Sequence, residues 1–596
     1  MARIPFLNRR NVALGGAAAA VVAGLAARRL ARPKEAPPVP SGVANPAARR
    51  PNILFILSDQ ERHWTDLPSG LGLAAHEMLL EQGVGYLNYN IHTTPCSPSR
   101  STLYFGQHTQ HTGMTVNHGA PPFPEIRWGV PSMGHLMRAQ GYYTAYKGKW
   151  HLSHMTGDFN LGYGPFPNTS AALEPFGFAD YNIDGDPHGA TWTGFRFDAQ
   201  IAADAALWLA DKGKALADEG KPWMLAVNFV NPHDVMYFSS GEAQVRSRKD
   251  PNLLAPIAPP PIGGVYDKAW DLPMPESYYK ADIARRNWSQ QSYADFCDMI
   301  YGRMDPADEG LFRRYQSYYF NCIRDVDRNA MTVLKQLAAL GLDRNTIVVY
   351  GSDHGEMAGA QRLRQKGPHM FKENVRVPLI IRHPDVRGGF TTAALASPVD
   401  VIPTLLSWAG VERTRREELY PYLKGVDVAA TAASPSARTE RDRLGILYDY
   451  GVSHYWDPVF TEKAIERQSP IDKLFLIRNA LATGMFFPSL NNPGLFRGVF
   501  DGRYKFARYF KPSQHHVPED FETLKRLNQL ELYDTLADPN ELTNLALDPE
   551  RHQEVIMRLN AMTNALVARE VGVDDGREHT GPTNWYRLNK LFGTPA

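Results

Sequence analysis

The sequence predicts an α/β protein with a smaller α+β unit at its C-terminal end. Two observations predict the fold. Short apolar runs alternate with segments of helical periodicity along most of the chain, and from about Phe496 the pattern shifts to short strands followed by one helix. A third observation bears on chemistry: four of the apolar runs are followed at once by polar residues able to bind ions or carry protons.

At the N-terminus, Arg9 and Arg10 precede an Ala/Gly-rich apolar stretch over 12–27, and Arg28-Arg29 close it. A twin arginine before a short, weakly hydrophobic segment predicts a Tat-type signal over 1–31. That makes the Tat machinery a partner and the destination periplasm, cell envelope or medium. The stretch falls short of the ~20 apolar residues that span a bilayer, so no stable membrane span is expected; an uncleaved anchor is the alternative. Residues 32–50, rich in Pro and Ala, read as a linker.

Residues 51–495 are expected to form one large catalytic domain. Apolar runs at 52–57, 142–146, 223–229, 346–350 and 378–381 read as buried strands. Between them, 312–340 places Tyr315, Tyr319, Cys322, Ile323, Val326, Val333, Leu334 and Leu337 at helical spacing, a core helix with no chemistry. Asp59 follows the first run, Lys149 and His151 the second, His233 the third, and Asp353-His354 the fourth. Open α/β sheets bind ligands beyond the carboxyl ends of their strands, so these clusters should converge on one edge. The irregular stretch 235–311, with a near-continuous proline run and Tyr266, Trp270, Tyr278 and Tyr279, is either one wall of the substrate pocket or a surface excursion packed on itself. Beyond it, strands at 498–508 and 530–533 and a helix over 550–569 define a small α+β domain over 496–575, with a tail over 576–596.

The composition of this 596-residue chain is that of a globular protein with a large core, 43% hydrophobic. Its 64 Lys+Arg balance 63 Asp+Glu, which excludes a broad basic surface for nucleic acid and favours a small-molecule or sugar ester. Three cysteines cannot make a disulfide framework. Cys297 and Cys322 could pair, but Cys322 sits in the helical apolar pattern, where a buried thiol is expected.

The strongest local pattern is Cys96-Ser97-Pro98-Ser99-Arg100. Pro98 suits the first turn of a helix, with Ser97 as its N-cap. Cys96 would then face the exposed N–H groups at the positive end of the helix dipole, where an anion is favoured. Arg100, four residues on, falls on the same side.

This segment resembles the nucleophile signature of the type I sulfatases of the alkaline phosphatase superfamily, C-x-P-S-R, in which a maturation enzyme converts the cysteine to formylglycine. The match continues through Ser101-Thr102-Leu103-Tyr104-Phe105-Gly106, with Phe105 where the family usually has Thr. Gly148-Lys149-Trp150-His151-Leu152, Ser352-Asp353-His354-Gly355-Glu356, Val399–Leu406 and Glu531-Leu532-Tyr533-Asp534 resemble further family segments, from about Arg50 to beyond Leu545. The resemblance implies a large mixed, mostly parallel sheet flanked by helices. It also implies a formylglycine-generating enzyme as maturation partner.

It implies one divalent ion held by Asp59, Gln60, Cys96, Asp353 and His354. An oxygen-rich set with one imidazole suits Ca²⁺ foremost, with Mn²⁺ or Mg²⁺ as alternatives. Arg100, Lys149 and Lys366 are the implied counter-charges on the sulfate oxygens. By the same resemblance, a hydrated aldehyde at position 96 attacks sulfur, and His233 protonates the departing alcohol or phenol. His151 then takes a proton from the second hydroxyl as sulfate leaves. The pairing of Asp59-Gln60 with Asp353-His354 is similar to that of choline sulfatases and phosphonate monoester hydrolases. A phosphonate monoester or phosphodiester hydrolase is therefore the alternative enzyme, and an exported, catalytically silent binding protein the alternative class. Lys147 reads as a surface lysine, and His369 as a loop-packing residue.

Overall fold

The computed structural model describes residues 39–43, 50–118, 126, 129–153, 169–183, 185–249, 255–451, 457–459, 461–462, 489 and 491–574. The expected signal, most of the linker and the expected tail lie outside the described residues.

The larger sheet contains β1 (Asn52–Asp59), β2 (Val84–Tyr89), β3 (Tyr143–Gly148), β4 (Trp223–Pro232), β5 (Thr346–Ser352), β6 (Leu379–Arg382) and β7 (Phe390–Ala396), in the spatial order β3-β4-β1-β5-β6-β2-β7. β6 alone runs against the rest, pairing antiparallel with β5 and β2. The sheet is therefore mixed and mostly parallel. The five expected strands are β1, β3, β4, β5 and β6. β2 and β7 were not anticipated, because Gly85 and Asn88 interrupt one and the other is a Thr/Ala stretch, so neither offers a β-branched run.

Helices cover both faces: α1 (Ala74–Gln82), α2 (Cys96–Phe105), α3 (Thr193–Trp208), α4 (Glu309–Ala339) and α5 (Pro398–Trp408). Alternate residues of β1 enter two different cores, as the period of a strand requires. Ile53, Phe55 and Leu57 pack with Leu103, Tyr104 and Phe105 of α2 and with Leu405 and Leu406 of α5. Leu54 and Ile56 pack with Ile201 and Ala205 of α3 and with Val326, Val333 and Leu337 of α4. Tyr266 and Tyr278, from the irregular stretch, pack with Phe312, Tyr315, Tyr318 and Tyr319 of α4. These two aromatics serve packing on that helix. Cys297 and Cys322 are both buried free thiols.

The smaller sheet has the order β11-β10-β9-β8, with β8 (Ile446–Tyr450), β9 (Leu495–Phe500), β10 (Tyr504–Phe510) and β11 (Asn528–Asp534), all antiparallel. The stretch expected as one strand over 498–508 is a hairpin, β9–β10. It turns at Gly502 (φ +97°), where Asp501 Oδ1 accepts from the N–H groups of Arg503 and Tyr504. β8 comes from inside the stretch assigned to the catalytic domain, so the small sheet does not begin at Phe496. Leu447, Val499, Phe506 and Leu532 pack under α6 (Gln553–Leu566), while Tyr448, Phe496, Tyr509 and Tyr533 face the main core. Buried Arg441 ties the units together, bound at 2.6 Å both to Asp400 of α5 and to Glu570 beyond α6. Among the described residues no helix is long and apolar enough to cross a membrane.

The start of α1 is locked under the sheet. Asp327 Oδ1 accepts from the backbone N–H of His76 at 3.0 Å, and the His76 ring bridges Asp327 and Glu61 at 2.7 Å on each nitrogen. Burial works against the imidazolium, but the two carboxylates prevail and hold its pKa up to about 10. Replacing His76 by Asn should cost about 3–5 kcal/mol by leaving buried carboxylates unpaired. The folded pKa lies above the unfolded one, so this stabilisation is complete below about pH 6.5 and is lost as pH rises towards 10. Urea unfolding of both chains at pH 6 and pH 10 tests this; a stability gap that does not shrink at high pH would refute it.

Candidate active site

β3, β4, β1 and β5 are consecutive neighbours and mutually parallel. Asp59, Lys149, His233 and Asp353-His354 therefore leave the sheet at the same edge. α2 delivers Cys96 to that edge at its own first residue, with Pro95 at the N-cap position. Ser97 is not the cap expected from the sequence. Its hydroxyl donates to the His151 carbonyl at 2.6 Å, a tertiary bond that ties the Cys96 segment to the β3 loop.

Ligand atoms of Asp59, Cys96, Asp353 and His354 lie within 4.8 Å of one another, all buried. Cys96 Sγ is 3.7 Å from Asp59 Oδ1 and 3.1 Å from His354 Nε2. His354 Nε2 is 3.5 Å from Asp59 Oδ1 and 3.7 Å from Asp353 Oδ1. His354 Nδ1 lies 3.0 Å from the Gly355 carbonyl, to which it donates, so Nε2 is the ring nitrogen turned towards the carboxylates. Two hard carboxylates and one oriented imidazole in a buried cluster fit a divalent cation. Gln60, the remaining expected ligand, points its Oε1 at Lys366 Nζ and its Nε2 at Glu356.

The cations surround this cluster in different ways. Lys149 Nζ forms an ion pair with Asp59 Oδ2. Arg100 is built into the floor. Its Nη1 meets Asp353 Oδ2 at 3.3 Å, its Nε donates to the Trp150 carbonyl, and its Nη2 donates to the Lys149 carbonyl, Asn228 Oδ1 and Tyr146 OH. Its expected part as a counter-charge on the ester is thereby narrowed, because most of its donors are committed to holding Asp353 and the β3 loop. Lys147, expected at the surface, is buried and paired with Asp204 at 2.8 Å, because it lies inside β3 rather than beyond it.

Electrostatics follow from this crowding. Burial opposes ionisation of Asp59, yet Lys149 foremost, with Lys366 and His354, outweighs it and holds the carboxyl well below its usual range. The Cys96 thiol is pushed up by burial and by Asp59, but Lys149, Lys366 and His354 bring it below its ordinary value. Burial, with Lys149 and His188 beside it, drives His151 far below the ordinary histidine range. Burial and then Lys366 and Lys149 do the same to His233. Both imidazoles are neutral, and Nδ1 of each carries no hydrogen bond among the described residues. His369 is likewise buried and held down to about 3 by burial, with Arg286 adding to it; it packs against Tyr293 and Phe371.

Backbone strain marks the same positions. Gln60, His151 and Gln365, the last adjoining Lys366, have φ of +74°, +59° and +64°. Such residues cost about 1–3 kcal/mol each and persist only where their surroundings over-determine them. Tyr319 OH holds the Gln60 carbonyl, and Asp186 accepts the N–H groups of Trp150 and His151 at 3.0 and 2.7 Å. Sequence reasoning included Glu356 in a family segment without giving it a role, and missed Asp186 and Asn228. Of the two missed, Asn228, polar within the apolar run of β4, left a signal.

Fold and sequence together place the chain in the alkaline phosphatase superfamily. Residues 51–411 match the Sulfatase family model, and the chain belongs to the sulfatase family. It is 27% identical over 415 residues to an ulvan-active sulfatase of Formosa agariphila, covering 66% of this chain and 67% of that one. A Δ4,5-hexuronate-2-O-sulfatase of Bacteroides thetaiotaomicron is 23% identical over 543 residues, 89% of this chain and 91% of its own. The solved structure of a 2-O GAG sulfatase shares the fold with a TM-score of 0.60 at 19% identity, over 90% of this chain and 98% of that one. These relatives support a sulfuric ester hydrolase.

Proposed function

We propose that the chain hydrolyses a sulfate monoester, most naturally of a sugar, to the alcohol and inorganic sulfate, using formylglycine made from Cys96 and one divalent ion. The observation that carries this is the placement of Cys96 at a helix N-terminus, 3.7 Å from Asp59 and 3.1 Å from His354, within reach of the charges of Lys149 and Lys366. The sugar preference follows the names of two relatives, which refer to a hexuronate and to GAG. Export by a Tat-type signal, and maturation by a formylglycine-generating enzyme, belong to the same proposal.

Asp59, Asp353 and His354 would hold the ion, Ca²⁺ foremost. When bound, such an ion polarises oxygen and lowers the pKa of a hydroxyl beside it, while formylglycine offers two hydroxyls on one carbon. Lys149 and Lys366 supply positive charge where the ester oxygens gain negative charge. Arg100 keeps Asp353 and the 149–150 backbone in place. Neutral His151, tied through its carbonyl to Ser97, is suited to accept a proton next to position 96. His233 is neutral while the cations stand alone, and an anionic ester seated among them would raise its pKa and make it a proton donor to the leaving oxygen.

The test is turnover by protein whose Cys96 peptide shows formylglycine in a tryptic mass spectrum, on a panel of sugar sulfates, aryl sulfate, phosphodiester and phosphonate monoester. Sulfate esters should exceed the phosphorus esters in kcat/KM. The reverse order would assign the site to the phosphonate or diester chemistry that the Asp59-Gln60 and Asp353-His354 pairs also accommodate. No turnover of any ester would leave a silent binding protein.

A further inference from the structure

We infer that Glu356 is the positioning residue that aims both Gln60 and Lys366 into the site; what that pair does there rests on the reading above, whereas how it is held does not. Glu356 is fully buried, two residues beyond His354. Its Oε2 accepts from Gln60 Nε2. Its Oε1 accepts from the backbone N–H of Gln365 at 2.6 Å, that of Ala358 at 2.8 Å and Tyr315 OH at 3.2 Å. Every neighbour is a donor, so the side chain must be an acceptor on both oxygens, which only a carboxylate provides.

Two consequences follow. The Gln60 amide cannot turn over: with Nε2 held by Glu356, Oε1 must face outwards, and there it accepts from Lys366 Nζ. The same carboxylate grips the N–H of Gln365, whose φ of +64° is disfavoured, and thereby sets the backbone from which Lys366 springs. One buried charge therefore fixes both members of the Gln60–Lys366 contact. Arg62 braces the surrounding backbone by donating to the carbonyls of Glu356 and Met357, but it does not engage the carboxylate.

Glu356→Gln is the sharpest test. Its amide oxygen would stay with the three donors on the Oε1 side, so its NH₂ would confront Gln60. Gln60 would then rotate, turn Nε2 towards Lys366, and expel the ammonium. A crystal structure of the variant should show Lys366 Nζ withdrawn from Gln60; an unmoved Lys366 overturns the inference, whether or not the protein is active. Kinetically, Glu356→Gln should lower kcat/KM about 100-fold, the scale of a 1 Å misplacement of catalytic groups. In a background that already carries Gln60→Ala and Lys366→Met it should lower kcat/KM no further, whereas a multiplied loss would mean that Glu356 acts on the fold at large. Should the Gln variant fail to fold, Glu356→Asp keeps the charge but is too short to reach both Gln60 and Gln365, and the same structural and kinetic outcomes apply. If matured wild-type protein turns over no ester, the functional reading fails while the structural arm still decides this inference.

Discussion

Replacing Cys96 by Ala should remove turnover altogether, a loss on the order of 10⁴–10⁶-fold, the scale seen when a nucleophile is deleted. The thiol position is fully buried at the first residue of α2, and Ala is compatible with a helical first turn, so the variant should keep its fold and its melting curve. Cys96→Ser is the more informative change. Serine offers a single hydroxyl at the same place, near Asp59, His354 and Lys149. It could take up sulfate from the ester, but it lacks the second hydroxyl through which a hydrated aldehyde expels it. The expected result is at most one equivalent of alcohol released per protein and a sulfated species in the intact mass. Continued turnover by either variant would contradict the assignment of position 96 as nucleophile. Loss of activity with an unmodified thiol in the wild type would point instead to failed maturation.

Much of this site was legible because of where strands end. The runs at 52–57, 142–146, 223–229 and 346–350 are buried on both faces and therefore nearly uninterrupted, and the polar residues beyond them lie at the sheet edge, Lys147, still inside β3, being the exception. That rule located Asp59, Lys149, His151, His233, Asp353 and His354 without any knowledge of strand order. Where it failed, tertiary partners had overruled a local signal. Ser97 looks like an N-cap, but its hydroxyl serves the His151 carbonyl. Arg100 looks like a free cation, but backbone carbonyls and Asn228 from distant loops absorb its donors. Glu356 stood in a recognised segment and Asp186 in none, but both act through backbone N–H groups and side chains brought to them by folding, so no spacing in the chain betrays their roles. Likewise, β2 and β7 owe their strand form to pairing with each other rather than to propensity.

The second large effect concerns the pair at the end of β1. Asp59 and Lys149 are both fully buried and bound to each other, so each makes the other tolerable. Asp59→Ala should abolish turnover by removing a proposed ion ligand, and it should also destabilise the chain, because Lys149 Nζ would be left without its carboxylate next to Arg100. Breaking a buried pair in this way costs about 3–5 kcal/mol. Asp59→Ala combined with Lys149→Met should recover most of that stability and none of the activity, since removing both charges leaves nothing buried and unpaired. Measured by denaturant midpoint in chelator, so that ion binding adds equally little to every variant, the expected order is wild type, double variant, single variant. A single variant as stable as the wild type would show that water or a rearranged Lys149 relieves the charge, and that Asp59 is held for the ion alone. A double variant no more stable than the single one would show that the loss lies in β1 itself. The expected order, by contrast, makes each buried charge tolerable only beside the other: the carboxylate proposed to hold the ion and the ammonium proposed to meet the ester neutralise each other until those bind.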